Sequence, residues 1–267
     1  MFTSYYGMKY NPFTKEILTE NAYESIDYKE VFSRLDYLTE VRGMGLFTAT
    51  SGMGKTFIMR CFVEKLNEDL YKVVYINGGI STIYDLFNLL ARQLGVEING
   101  KYKSDMLEVI QSAIKKVVKE DRKIPVIIFD EANKINSDIL NELDVLFDFE
   151  MGSKNYSVVI ILGNENLKEE LKKIRYESLK QRITVNYTFV GLNLEEIKTY
   201  VESRLSLVNS SKDIFTPEGL NALHLCSNNS PRRLNALITN SLIIGFSKKK
   251  LRIDAELIRL AKEEIDL

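Results

Sequence analysis

The chain has 267 residues, 45% hydrophobic and 27% charged, and its 36 basic and 37 acidic side chains leave a formal net charge of -1. Those proportions belong to a globular protein able to bury a sizeable core, and they exclude a disordered or fibrous class. The near-zero total argues neither for nor against nucleic acid, because electrostatic binding needs only a local basic stripe. No charged leader with an apolar core opens the sequence, and no apolar run approaches the roughly 18 residues of a spanning helix. The expectation is a soluble, cytoplasmic protein without membrane contact. Cys61 and Cys226 lack metal-ligand spacing and read as buried thiols of a reducing compartment, and the single histidine, His224, receives no role.

In chain order, "GLFTAT" reads as a strand, "FIMRCFVEKLN" as a helix, "KVVYING" as a strand and "STIYDLFNLLARQLG" as a helix closed by Gly95. "KSDMLEVIQSAIKKVVKED" is a further helix, with Ser104 or Asp105 as its N-cap. "IPVIIFDEAN" is a continuous apolar strand, "SDILNELDVLFDFE" returns to helical spacing, and "YSVVIILGN" is another buried strand. Continuous apolar strands separated by amphipathic helices predict a parallel sheet covered on both faces, a doubly wound α/β domain. Near residue 190 the pattern changes, and every later segment reads as a helix. Thr216, Ser230 and Asp254 stand at N-cap positions, with Pro217 and Pro231 at first helical positions. The expected division is an α/β domain over 1–190 followed by a small all-helical lid over 191–267.

The chemistry concentrates at strand ends. "ATSGMGKT", residues 49–56, lies between the first strand and its helix, as a phosphate-binding P-loop does. Its glycines let backbone N–H groups turn inward around a phosphate at a helix N-terminus, where the dipole favours negative charge. Lys55 would reach the β- and γ-phosphates and Thr56 would offer a hydroxyl to Mg²⁺. Ala49 replaces the usual first glycine, a mild change where φ stays negative. Asp130 closes an apolar strand at the carboxyl end, where open α/β sheets bind ligands. It can hold Mg²⁺ through water, while Glu131 can polarise a water for in-line attack. Asn164 ends the next apolar strand and could orient that water, or serve as a turn residue after Gly163.

The ordered set "ATSGMGKT", "IIFDEAN", "ILGN", "LKQRI" and "SPRRLNAL" resembles an AAA+ ATPase, a P-loop fold with a helical lid. The opening "YYGMKYNPFTKEI" is similar to the ExeA-like group and to the transposon helper ATPases of the TniB, TnsC and MuB kind. That resemblance implies ATP and Mg²⁺, with Ser51, Gly52, Met53, Gly54, Lys55, Thr56 and Phe57 around the nucleotide and Thr56 and Asp130 at the metal. It implies Glu131 and Asn164 as catalytic groups. It also implies Arg182 as an arginine finger acting in trans, with Arg175 and Arg233 as competitors, and Arg232 as the lid's sensor arginine. Asn11, Pro12 and Phe13 would border the adenine. The family further implies a homo-oligomer, a ring or helical filament, on duplex DNA gripped by its backbone, to which a transposase is recruited and from which hydrolysis releases it. Ser81, Thr82, Lys101 and Lys103 are the implied DNA contacts, with Lys248, Lys249, Lys250 and Arg252 a weaker set. The alternative is an ExeA-like ATPase of a secretion assembly, which would carry a spanning helix and a peptidoglycan-binding segment after the lid.

Overall fold

The computed structural model describes residues 1–100 and 102–266. Five strands, β1 (Met44–Thr48), β2 (Tyr71–Asn77), β3 (Ile124–Asp130), β4 (Val158–Gly163) and β5 (Ile183–Thr188), form one sheet in the order β2-β3-β4-β1-β5. All neighbouring pairs are parallel. In chain order the helices are α1 (Phe2–Tyr5), α2 (Ile26–Val41), α3 (Lys55–Lys65), α4 (Ile83–Leu94), α5 (Lys103–Lys119) and α6 (Ser137–Leu146). They continue as α7 (Glu165–Glu170), α8 (Glu177–Arg182), α9 (Leu194–Leu207), α10 (Pro217–Ser227), α11 (Pro231–Ser247) and α12 (Ala255–Ile265). Among the described residues no helix is long and apolar enough to cross a membrane.

Internal contacts divide the chain into two units. One comprises Glu30–Thr50 and Phe62–Phe189, and the other Met1–Lys29, Ser51–Cys61 and Val190–Leu267.

The first unit holds the whole sheet. Strands β1 and β4 are buried at every position and β3 at all but its first, which is why their sequences are unbroken apolar runs. Helices α4, α5 and α6 bury Leu86 and Leu90, Ile110 and Ile114, and Leu143 into one apolar cluster with Ile127 and Phe129 of β3. Helix α4 opens with a reciprocal capping box between Thr82 and Asp85 and closes on Gly95 in the left-handed conformation. Helix α5 departs from the Ser104 or Asp105 cap expected above: it starts at Lys103 after Tyr102, without a side-chain cap. The Ser104 hydroxyl donates instead to the neighbouring Asp105 carboxylate. Because β4 lies between β1 and β3, the carboxyl ends of three strands, at Thr48, Asp130 and Gly163, fall side by side along one edge of the sheet.

The second unit is built on α9 to α12. Asn193, Thr216, Ser230 and Asp254 each cap their helix through a side-chain oxygen, and Pro217 and Pro231 occupy the first turns. Its core joins Ile197, Leu223, Leu237 and Ile258 to Tyr6, Met8 and Phe13 from the N-terminal segment. That segment is also hydrogen-bonded along its length. Tyr6 donates to the Lys250 carbonyl at 2.9 Å, Arg204 donates to the Asn21 carbonyl at 2.9 Å, and Ile26 N–H donates to Glu196 at 2.6 Å. The buried Asp27 carboxylate accepts the N–H groups of Val190 and Gly191 at 3.1 and 2.8 Å.

Candidate nucleotide site

The phosphate loop begins where β1 ends. Ala49 is fully buried and its N–H donates to the Gly163 carbonyl at 3.1 Å, so the residue standing in place of the usual first P-loop glycine extends the ladder to β4. Beyond it the backbone reverses through Gly52 at φ +87° and Gly54 at φ +90°, a region that side chains with a Cβ rarely adopt. Helix α3 then starts at Lys55, so Lys55 and Thr56 occupy its first turn, where backbone N–H groups collect. A Cβ on Gly54 would meet nothing within 4 Å, whereas one on Gly52 would lie 2.7 Å from Ser230 Oγ and 3.0 Å from Arg232 Cβ. The loop is therefore open at Gly54 and backed by the start of α11 at Gly52.

Arg232 secures that backing. Its N–H donates to the Gly52 carbonyl at 3.2 Å and its guanidinium to Ser51 Oγ at 3.1 Å. The sensor arginine expected of the lid thus lies against the phosphate loop. Asn11 accepts the Phe13 N–H at 3.0 Å and donates to Thr239 at 3.1 Å, which fixes the N-terminal turn on α11. Pro12 and Phe13 are buried, and Phe13, only 3% exposed, packs into the helical core.

In the sheet unit, Asp130 is 2% exposed at the end of β3. One oxygen accepts the Glu131 N–H at 2.8 Å and the other accepts the Tyr75 phenol at 2.8 Å. Burial, then the hydrogen bond to Asp130 and the charges of Asp130 and Glu131, push the Tyr75 hydroxyl well above its ordinary value, so it remains a protonated donor. Glu131 is exposed at φ +52°, a conformation that costs a residue with a Cβ on the order of 1–3 kcal/mol. Its carboxylate is bridged by Lys134. Asn133 accepts the Asn164 N–H at 3.1 Å, tying the turn after β3 to the end of β4. Asn164 in turn accepts the Leu167 N–H at 3.2 Å as the N-cap of α7, so its carbonyl oxygen serves the helix.

Arg182 closes α8, where its guanidinium is shared between Asp144 and Asp148, the latter at 3.1 Å. Arg175 pairs with Glu170 and lies over the Tyr176 ring, while Arg233 pairs with Asp266 at 2.5 Å and donates to the Cys226 carbonyl. Of the implied DNA contacts, Ser81 and Thr82 are exposed at the start of α4, but the Thr82 hydroxyl is engaged by Asp85. Lys103 is bridged to Glu142 at 2.5 Å, and Lys101 lies outside the described residues. Lys248, Lys249 and Arg252 are exposed between α11 and α12, with Lys250 held by Asp254 and Glu256. Tyr75 and Asn133 were not foreseen. Both lie in segments already singled out, and only the strand register shows that they reach the strand-end polar groups.

A nucleotide fits what is present. Two positive-φ glycines run into a helix N-terminus, and a Cβ at Gly54 would project into open space. No group of three or more His, Cys, Asp or Glu among the described residues could hold a metal alone.

Comparison with known proteins agrees. The AAA domain family matches residues 38–171. General secretion pathway protein A of Aeromonas hydrophila is 27% identical over 267 residues, covering 99% of this chain and 48% of that protein, so the chain spans about half its length. Among solved structures, Cdc6p from Pyrobaculum aerophilum superposes with a TM-score of 0.70 at 15% identity, over 95% of this chain and 70% of that one. The Aeropyrum pernix ORC1 protein in complex with DNA superposes with a TM-score of 0.61 at 18% identity, over 95% and 68%. These two share the fold. With half of its length matched by the family, the chain belongs to the AAA domain family and is an ATPase whose cofactor is Mg²⁺.

Proposed function

We propose that the chain is an ATP-dependent regulator that oligomerises on duplex DNA and there recruits or activates a transposase, with ATP hydrolysis dismantling the complex. The observation that carries the switch is the hold of α11 on the phosphate loop, through Arg232 to Ser51 and Gly52. A lid bonded to the loop responds to what the loop binds, which a small-molecule kinase does not require. The DNA arm is supported by the ExeA-like opening "YYGMKYNPF" and by the ORC1 protein, which has the same fold and is seen with DNA.

In this account Lys55 and the N–H groups of Ser51 to Thr56 bind the triphosphate, and Thr56 and Asp130 are the residues that would hold Mg²⁺, which would supply positive charge to offset that of the phosphates. Glu131 accepts the proton of the attacking water, the Asn164 amide orients that water, and Arg182 of an adjoining subunit stabilises the charge developing on the γ-phosphoryl. Ser81, Thr82, Lys101 and Lys103 contact the DNA backbone without reading sequence.

One subunit would bind duplex DNA weakly, with a Kd on the order of 10⁻⁴–10⁻⁶ M, and assembly would multiply that affinity. With a slowly hydrolysed ATP analogue at low salt, gel shift and electron microscopy are expected to show duplex DNA of unrelated sequences coated, with binding falling steeply as salt rises. Failure to shift or coat duplex DNA under those conditions would remove the DNA arm. A second reading, an ATPase serving a secretion assembly, is favoured by the 27% identity to general secretion pathway protein A across 99% of the chain. It predicts ATP turnover indifferent to duplex DNA and fractionation with membranes.

A further inference from the structure

We propose that Tyr75 is a positioning residue for the Mg²⁺ ligand Asp130, held in place by Gln93 of α4. The inference rests on the assignment of Asp130 to the metal given above.

Strand β2 is an edge of the sheet, so alternate residues present N–H and C=O groups with no neighbouring strand to receive them. At Tyr75 both groups are taken by one side chain: its N–H donates to Gln93 Oε1 at 2.8 Å and its carbonyl accepts from Gln93 Nε2 at 2.6 Å. Gln93 thus stands in for a strand at this single residue. Across the β2–β3 register Asn77 lies opposite Asp130 and Tyr75 opposite Ile128. Side chains alternate between faces, so Tyr75 and Asp130 share a face one diagonal apart, within reach of a tyrosine hydroxyl. The phenol spans that diagonal and donates to Asp130 at 2.8 Å.

The need is electrostatic. A carboxylate at 2% exposure is oriented by its hydrogen-bond donors, and the Glu131 N–H reaches one of its oxygens. Tyr75 serves the other. Tyr75 is 39% exposed, so phenylalanine would lose little packing there. What distinguishes tyrosine here is the hydroxyl. Partners of metal-holding carboxylates fix ligand geometry, and losing one typically weakens metal binding about 10- to 100-fold.

The test is a Mg²⁺ titration of fluorescent ADP binding to the full chain, beside the nucleotide affinity in EDTA. Tyr75→Phe is expected to raise the Mg²⁺ concentration for half-maximal effect by about tenfold or more, leaving EDTA affinity close to wild type. Gln93→Met keeps the phenol but releases the strand bearing it, and is expected to shift the midpoint in the same direction by a smaller factor. A Tyr75→Phe curve superposing on wild type, while Asp130→Asn moves the midpoint, would overturn the role of Tyr75 and leave the metal assignment standing. An Asp130→Asn protein with an unmoved midpoint would overturn the metal assignment and the role of Tyr75 with it. Gln93→Met superposing on wild type would overturn the link through the edge strand.

Discussion

Glu131→Gln is expected to lower ATP turnover by about 10²–10⁴ while leaving nucleotide binding intact, the range that a positioned general base supplies. The substitution keeps size and hydrogen-bonding reach and removes the group that takes the proton. It should not disturb the fold: the side chain is exposed, its ion pair is with the exposed Lys134, and such a pair contributes about 0–1 kcal/mol. The left-handed backbone at φ +52° is a property of the turn that follows Asp130 and should persist. Single-turnover measurement with radiolabelled ATP separates the two effects. Bound nucleotide should remain uncleaved, and any assembly that depends on ATP should persist instead of dispersing. Turnover equal to wild type would assign the base elsewhere.

Arg182→Ala carries the other large effect. A finger donated by a neighbouring subunit is worth about 10³–10⁵ in rate, so steady-state hydrolysis should fall by that factor with nucleotide affinity nearly unchanged. Within its own unit the guanidinium is divided between Asp144 and Asp148, an acidic seat that orients it at the end of α8. A purely structural arginine would have the same partners, so loss of activity alone does not separate the two roles. Mixing does. Subunits bearing Arg182→Ala retain their own Glu131, and subunits bearing Glu131→Gln retain Arg182; where they adjoin, one competent site is restored. Hydrolysis in the mixture, well above either protein alone, is the expected result. An inactive mixture of two well-folded proteins would place Arg182 in a structural role, and Arg175, paired with Glu170, would become the finger to test.

The parts of this architecture that were legible share one cause. Strands β3 and β4 lie inside a covered sheet, so "PVIIF" and "VVIIL" carry no polar residue to obscure them. The lid helices announce themselves through Thr216-Pro217, Ser230-Pro231 and Asp254, where local hydrogen bonding sets the boundary whatever lies further off. The phosphate loop is legible because its chemistry requires glycine at positive φ and lysine at the helix start. Helices α7 and α8, six residues each, are shorter than two turns and show no period. Helix α2, with Val31, Leu35 and Leu38 fully buried at four- and three-residue intervals, carries a readable stripe that the alternation beginning at "GLFTAT" does not include. Phe13 and Tyr75 were hidden for a different reason. Whether an aromatic is buried or reaches a carboxylate on the next strand depends on register and on helices almost two hundred residues away, which no local pattern encodes.

The central claim is that ATP is held by the loop at Lys55 and Thr56. Titration of the purified chain with ATP and Mg²⁺, followed by calorimetry, tests it most directly when wild type and Lys55→Ala are compared at equal folding, checked by thermal melting without nucleotide. Saturable binding by wild type and its loss in Lys55→Ala is the result expected from a lysine that reaches the β- and γ-phosphates. Equal uptake by the two proteins would contradict it.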